Sequence, residues 1–456
     1  MLTNIRIENF KAWRDTGSLR LAPLTVLFGS NSSGKSSLLQ LLLMLKQTAE
    51  SSDRRRVLHF GDLSTPVDLG SFTEMLNGHD ARRRLQFSID WRLPERLTIE
   101  DVKNGQTYSG DAMKFAAEIG LVGTGPRIAV DWFDYYLDDE NGDVRIGLER
   151  TPRGQYQVST DNYAAIHAVG RKWPVSSPSH FYGFPDDAAA RFQNLEFVAD
   201  LMLALEEELA SIAYLGPLRE RPERLYRWSG EEPGHVGWRG ERSIEALLAG
   251  SDLAFNRKPK QRYRTLQEIV AEWLKRLGVI DSFSVSPIRR GRDEYEVKVK
   301  SPGRRAEVLL TDVGFGVSQV LPVIVQCFYA TPGSILLFEQ PEIHLHPGVQ
   351  AGLADLFLDA LAIRERGATR DVQLIVESHS EHFLRRLLRL VAEDEVGIDD
   401  IALYVATPGP SGSNIEPLRV DGYGNVENWP DDFFGDQMED VMGQARAAMR
   451  RRQGRA

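Results

Sequence analysis

Apolar positions along this chain recur with two different periods, and the periods sort the sequence into elements. Ile5, Ile7 and Phe10 alternate with polar residues near the start, as do Leu85, Phe87, Ile89 and Trp91, which predicts strands. Leu24 to Phe28 is a short apolar run of the kind found in buried strands, whereas Ser37 to Gln47 carries six leucines with no breaker and predicts a buried helix. From about Leu93 to Asp161 the pattern is irregular. Turn signals stand at Asn104-Gly105, Gly123-Thr124-Gly125-Pro126 and Asn141-Gly142-Asp143, so short strands and loops are expected there. Helical spacing returns over Phe192 to Ile212 and over Leu266 to Leu277, and Tyr295, Val297 and Val299 alternate like a strand. The nearly apolar stretch Val317 to Phe338 is interrupted by Pro322, Gln326 and Thr331-Pro332-Gly333-Ser334, which predicts helix, turn and strand rather than a membrane span. Val372 to Val376 is a further apolar strand.

Between the first buried strand and the leucine-rich helix lies Gly29-Ser30-Asn31-Ser32-Ser33-Gly34-Lys35-Ser36, which fills every fixed position of the GxxxxGK[ST] phosphate-binding loop. In that context backbone N–H groups and the positive end of the helix surround phosphate oxygens. Lys35 reaches the β- and γ-phosphates, and the Ser36 hydroxyl is the candidate Mg²⁺ ligand. Ile335 to Phe338 runs into Glu339, Gln340 and Glu342, and a carboxylate at the exposed end of a buried strand can hold Mg²⁺ or its water shell. Glu339 is the candidate. His379, at the end of the 372–376 strand, is placed to stabilise γ-phosphate charge. Gly314, Gly316 and Ser318 precede an apolar helix and form a second candidate anion-binding helix start. His344 and His346 mimic a metal pair, but Pro347 and the strand context suit a structural turn better.

Composition narrows the setting. With 456 residues and 42% hydrophobic content the chain can bury one large core or two ordinary ones. A single cysteine, Cys327, excludes an internal disulfide or a cysteine-rich zinc site and points to the cytoplasm. Met1 to Asn9 lacks the apolar centre of a signal peptide. A formal charge of −10 argues against a globally basic nucleic-acid coat. The triplets Arg54 to Arg56, Arg82 to Arg84 and Arg450 to Arg452 read as solvated faces or a tail.

The ordered set GSNSSGKSS, DVGFGVSQ, FEQPEIHLHP and VESHSE resembles the ABC-type ATPase heads of the SMC/RecF/OLD group, and most nearly the compact prokaryotic AAA or OLD-like ATPases. The opening IRIENFKAW and the segment YLGPLRERPERLY fit the same group. The resemblance implies an α/β P-loop ABC-type head with a mixed sheet and an inserted central, helical lobe. It would be built from residues 1–92 and 290–430 around an insertion at 93–289, with a tail at 431–456. By the same resemblance Gly29 to Ser37 is Walker A, Gly314 to Gln319 occupies the signature position, Glu339 belongs to Walker B, His344 to Pro347 to the D-loop, and His379 is the switch histidine. The cofactors implied are ATP and Mg²⁺.

Four departures qualify the likeness. Heptad-bearing arms are missing, the signature lacks the Ser-Gly-Gly order, and the Q-loop glutamine is unassigned, with Gln86 a guess. The Toprim nuclease domain of OLD proteins is also missing; Asp431-Asp432 reads as a cap or loop rather than a metal pair. The implied function is a slowly hydrolysing ATPase switch that dimerises through its ATP sites and serves anti-phage or foreign-DNA defence with a separate effector. The alternatives are a RecF-like ATPase that binds DNA as a dimer and a non-hydrolysing ATP scaffold. No membrane partner is expected.

Overall fold

The computed structural model describes residues 1–429 apart from 102, 104, 124, 140–141, 169–172, 259–260 and 290, together with 451. The expected Asp431-Asp432 and Arg450 and Arg452 lie outside the described residues, as do Asn104, Thr124 and Asn141 of the turn signals.

Two sheets organise the chain. The central one has six strands in the order Ile212–Leu215, Ile335–Glu339, Gln373–Glu377, Leu24–Gly29, Ile401–Thr407 and Asn414–Pro417. The first five are parallel and the last is antiparallel. The mixed sheet expected for this fold class is therefore present. Its strands are apolar on both faces because side chains alternate between two cores. Ile335, Leu337, Ile375, Ala402 and Tyr404 face a core built with the leucines of the helix Lys35–Ala49, while Leu336, Phe338, Leu374, Val376 and Leu403 face a second core. That second core holds the helices Leu266–Arg276 and Phe315–Tyr329.

An antiparallel, eight-stranded sheet covers the first core. The strands Leu2–Phe10, Leu85–Asp101, Gln106–Leu121, Ile128–Leu137, Val144–Arg150 and Tyr156–Asp161 follow one another across it as a meander. The short strands and loops expected over 93–161 are thus long strands instead. The alternation breaks at 92–96, where Leu85–Asp101 shifts register between Arg92 and Leu97, and resumes beyond it with Ile99, Met113, Phe115, Ala117 and Ile119 buried in the first core. The strand runs through residue 92, the boundary expected from the sequence. The helix expected from Phe192 begins at Val198, because Phe192 pairs with His167 and the Asn194 side chain accepts the Ile166 N–H.

The helix Phe315–Tyr329 contains Pro322. Its C-terminal carbonyls are claimed by Arg370, which is fully buried and donates to Cys327 O, Phe328 O and Ala330 O. The guanidinium also lies over the Phe255 ring. No helix among the described residues is long and apolar enough to cross a membrane.

Candidate functional site

Three of the parallel strands deliver their C-terminal residues to one edge of the sheet, the edge at which open α/β sheets bind ligands. The strand Leu24–Gly29 runs there into the glycine loop and then into Lys35–Ala49. Gly34 caps that helix at φ +92°, with no side-chain hydrogen bond at the cap and no acid in the first turn. An anion therefore meets a helix start that no carboxylate occupies. Both glycines are required by their surroundings. A Cβ on Gly29 would lie 2.2 Å from Ala406 O, and one on Gly34 would lie 2.8 Å from Ala12 Cβ. Trp13, fully buried, donates its indole N–H to Gly34 O at 3.0 Å and braces the loop from behind. Ser30, Asn31 and Ser32 are exposed and Ser33 is buried. Ser37 donates its N–H to Gly34 O.

Lys35 is buried, and its Nζ donates to Gly29 O at 3.0 Å, Ser30 O at 2.7 Å and Ser33 Oγ at 3.3 Å. Burial lowers its pKa, and Glu377, Glu342 and Glu339 oppose that shift, so three carboxylates surround the lysine. Glu339 ends the strand Ile335–Glu339 and stands in parallel register with Glu377. Tyr214, from the neighbouring strand, donates its hydroxyl to Glu339 Oε2 at 2.6 Å. Glu377 is buried and hydrogen-bonded by Ser36, while its Oε2 has no partner. Burial, reinforced by the neighbouring Glu339 charge, pushes its pKa up to about 7.

Gln340 turns the chain with a left-handed φ of +45°, and its N–H donates to Glu377 O at 2.9 Å. Glu342 is buried two residues on, and its Oε1 accepts the backbone N–H of His379 at 2.5 Å. Burial raises the Glu342 pKa. The His379 imidazole is lowered by burial and by Lys35, and the Gly29 carbonyl opposes both. The structure thus gathers the phosphate loop, Glu339, Gln340, Glu342 and His379 at one edge.

The signature residues stand at the start of Phe315–Tyr329, another helix with no side-chain cap. Gly314 is exposed and Gly316 half-buried, and a Cβ on either meets nothing within 4 Å. Ser318 is buried instead, lining a cavity of about 450 Å³ with Glu220, Tyr226 and Ile244 rather than with the phosphate loop. His346 accepts the Gly348 N–H and caps the helix Pro347–Ala362, while His344 is exposed. Gln86 lies within the meander, in register with Glu8 and Glu118.

Among the described residues no group of three or more His, Cys, Asp or Glu is arranged to hold a metal. Mg²⁺ does not require one, because it keeps several waters and takes one or two protein oxygens plus phosphate. Ser36 and Glu339 offer that oxygen chemistry, and the partnerless buried Oε2 of Glu377 adds to the local negative charge.

Sequence reasoning missed Glu377, Tyr214, Arg219, Trp13 and Lys11. Lys11 donates to Gln40 Oε1 at 2.7 Å, and burial lowers its pKa while the Glu339 charge opposes the shift. Glu377 lies inside the quoted VESHSE, and Tyr214 and Arg219 inside YLGPLRERPERLY, so the segments were visible while the roles were not.

Among solved structures, the SMC head domain from Thermotoga maritima aligns over 92% of this chain and 99% of its own, at 11% identity and a TM-score of 0.39. An SmcHead bound to the C-winged helix domain of ScpA aligns over 91% and 98%, at 11% identity and 0.41. An Smc head domain with an extended coiled coil, bound to the C-terminal domain of ScpA derived from Pyrococcus furiosus, aligns over 91% and 96%, at 9% and 0.42. No curated protein sequence matches the chain. Residues 398–444 match a family described as a protein of unknown function (DUF3696). Residues 24–385 match the family described as AAA domain, putative AbiEii toxin, Type IV TA system. Since that match runs from the strand before the phosphate loop to beyond His379, the chain belongs to this AAA-domain family.

Proposed function

We propose that this protein binds ATP with Mg²⁺ at Gly29 to Ser37 and hydrolyses it slowly. One observation carries the reading: an uncapped helix start and a buried lysine converge with three carboxylates and a histidine at the C-terminal edge of a parallel sheet. In this reading the loop N–H groups and Lys35 hold the β- and γ-phosphates. Ser36 and Glu339 hold Mg²⁺, which when bound neutralises charge on the phosphate oxygens. His379 lies against Gly29 and donates to the terminal phosphate. Gln340 orients the attacking water without taking its proton.

The protein further acts as a nucleotide-gated dimer, each subunit presenting Gly314 and Gly316 to the nucleotide of the other. Burial of Ser318 favours the backbone of exposed Gly314 and half-buried Gly316 over the serine hydroxyl as the contact. A ligand bound by both subunits stabilises the dimer through its differential affinity. The same reading includes a role in defence through a separate effector, in the cytoplasm; the toxin–antitoxin wording of the family description bears on the defence context alone.

Lys35→Ala tests the site. Calorimetric titration with ATP is expected to show binding abolished while thermal unfolding remains cooperative. Wild-type affinity in that variant refutes the assignment.

A further inference from the structure

One half-buried side chain at this edge hides all its polar atoms from solvent and gives none of them a hydrogen-bond partner. Arg219 follows the strand Ile212–Leu215, and its Nε and both terminal nitrogens are buried with no hydrogen-bond acceptor. Its five donors are fixed in a planar fork, and an arginine stays charged in proteins. A buried guanidinium left in this state is costly unless an anion meets it. The acids whose charge it feels do not bond it: Glu339 Oε2 accepts from the Tyr214 hydroxyl and Glu342 Oε1 from the His379 N–H, while Glu342 Oε2 is itself buried without a partner.

The position of the residue is built rather than incidental. Leu215 pairs in parallel register with Phe338, so the chain leaves the sheet beside Glu339. The backbone is pinned on both sides of Arg219, by Gly216 N–H to Trp238 O at 2.8 Å and by Glu220 N–H to Arg239 O at 2.9 Å. Burial lowers the Arg219 pKa to about 10, while Tyr214, Glu339 and Glu342 oppose the shift, which places the guanidinium among the groups around Lys35.

We propose that Arg219 is a phosphate-binding residue that reads the terminal phosphate of the nucleotide bound to its own chain. A nucleoside triphosphate carries its doubly charged terminal oxygens one phosphate farther along than a diphosphate does, and the fork is proposed to meet them there. The chain thereby distinguishes the two nucleotides before any second subunit is engaged. This inference rests on the ATP site proposed above. Its structural alternative is a fixed counter-charge for Glu339 and Glu342, which would serve both nucleotides equally.

The test is calorimetric titration with Mg·ADP and with the non-hydrolysed analogue Mg·AMP-PNP, at protein concentrations where sedimentation shows a monomer. Arg219→Met is expected to weaken AMP-PNP about 10- to 100-fold and to leave ADP within about twofold, as expected for losing one charge-assisted hydrogen-bonding group. Arg219→Lys, which keeps the charge but not the fork, should fall between. Retained ADP binding reports that each variant is folded. If both nucleotides weaken equally, or neither does, Arg219 is not the reader. Wild-type protein that binds neither nucleotide would remove the underlying site, and the role of Arg219 with it.

Discussion

At the position where most ABC-type heads carry a glutamate, this chain has Gln340, directly after Glu339. An amide cannot accept the proton of an attacking water at neutral pH, and a general base is typically worth about 10²–10⁴ in rate. Gln340→Glu is therefore expected to raise steady-state phosphate release by up to about 10²-fold; no increase would show that another group already takes the proton. Glu342 has a separate contact, because it accepts the His379 N–H and so fixes the backbone of the histidine proposed to meet the terminal phosphate. Glu342→Ala leaves that buried N–H unpaired, at about 1–3 kcal/mol, and should lower both stability and turnover. Glu342→Gln keeps an accepting oxygen and should do little. If Glu342→Gln instead stops hydrolysis while ATP still binds, the proton acceptor is Glu342. The phosphate loop, Glu339 and His379 were legible because their spacing is local. Tyr214 and Glu377 were not, because what defines them is contact with Glu339 across the sheet, Tyr214 from 125 residues away.

Elements differ in the same way. The strands beside the phosphate loop are apolar on both faces and announce themselves, whereas the meander after residue 92 buries one face only, as at Met113, Phe115, Ala117 and Ile119 or Val144, Ile146 and Leu148, a period-2 signal that the surrounding turn residues overshadowed. The start of Phe315–Tyr329 lends itself to a direct experiment. A Cβ at Gly316 meets nothing within 4 Å inside the chain, so Gly316→Trp is expected to fold, which a cooperative thermal unfolding checks, and to disturb what approaches from outside. Sedimentation with a slowly hydrolysed ATP analogue is expected to show association of the wild type and not of the variant. Identical oligomers in both, or no response to nucleotide in the wild type, would exclude a nucleotide-gated dimer through this segment.

The parallel sheet serves two cores at once, so the molecule should lose both together. Cys327 reports on this, since it is fully buried in the second core. Burial pushes its thiol pKa up and so depletes the thiolate that reacts with alkylating agents. Iodoacetamide labelling followed by mass spectrometry should be negligible in the folded protein at pH 8 and should rise along the urea unfolding curve. Modification of Cys327 ahead of the loss of secondary structure would show that the second core opens alone.

Arg370 gives the helix Phe315–Tyr329 one anchored end and one bare end. Fifteen residues span about 22 Å, so a tilt of about 5° around the anchored carbonyls swings the other end through about 2 Å. Moved as a rigid rod, the helix would be a lever with its fulcrum deep in the protein and Gly314 at its tip. Small adjustments near the fulcrum are magnified at the tip, where two chains would meet.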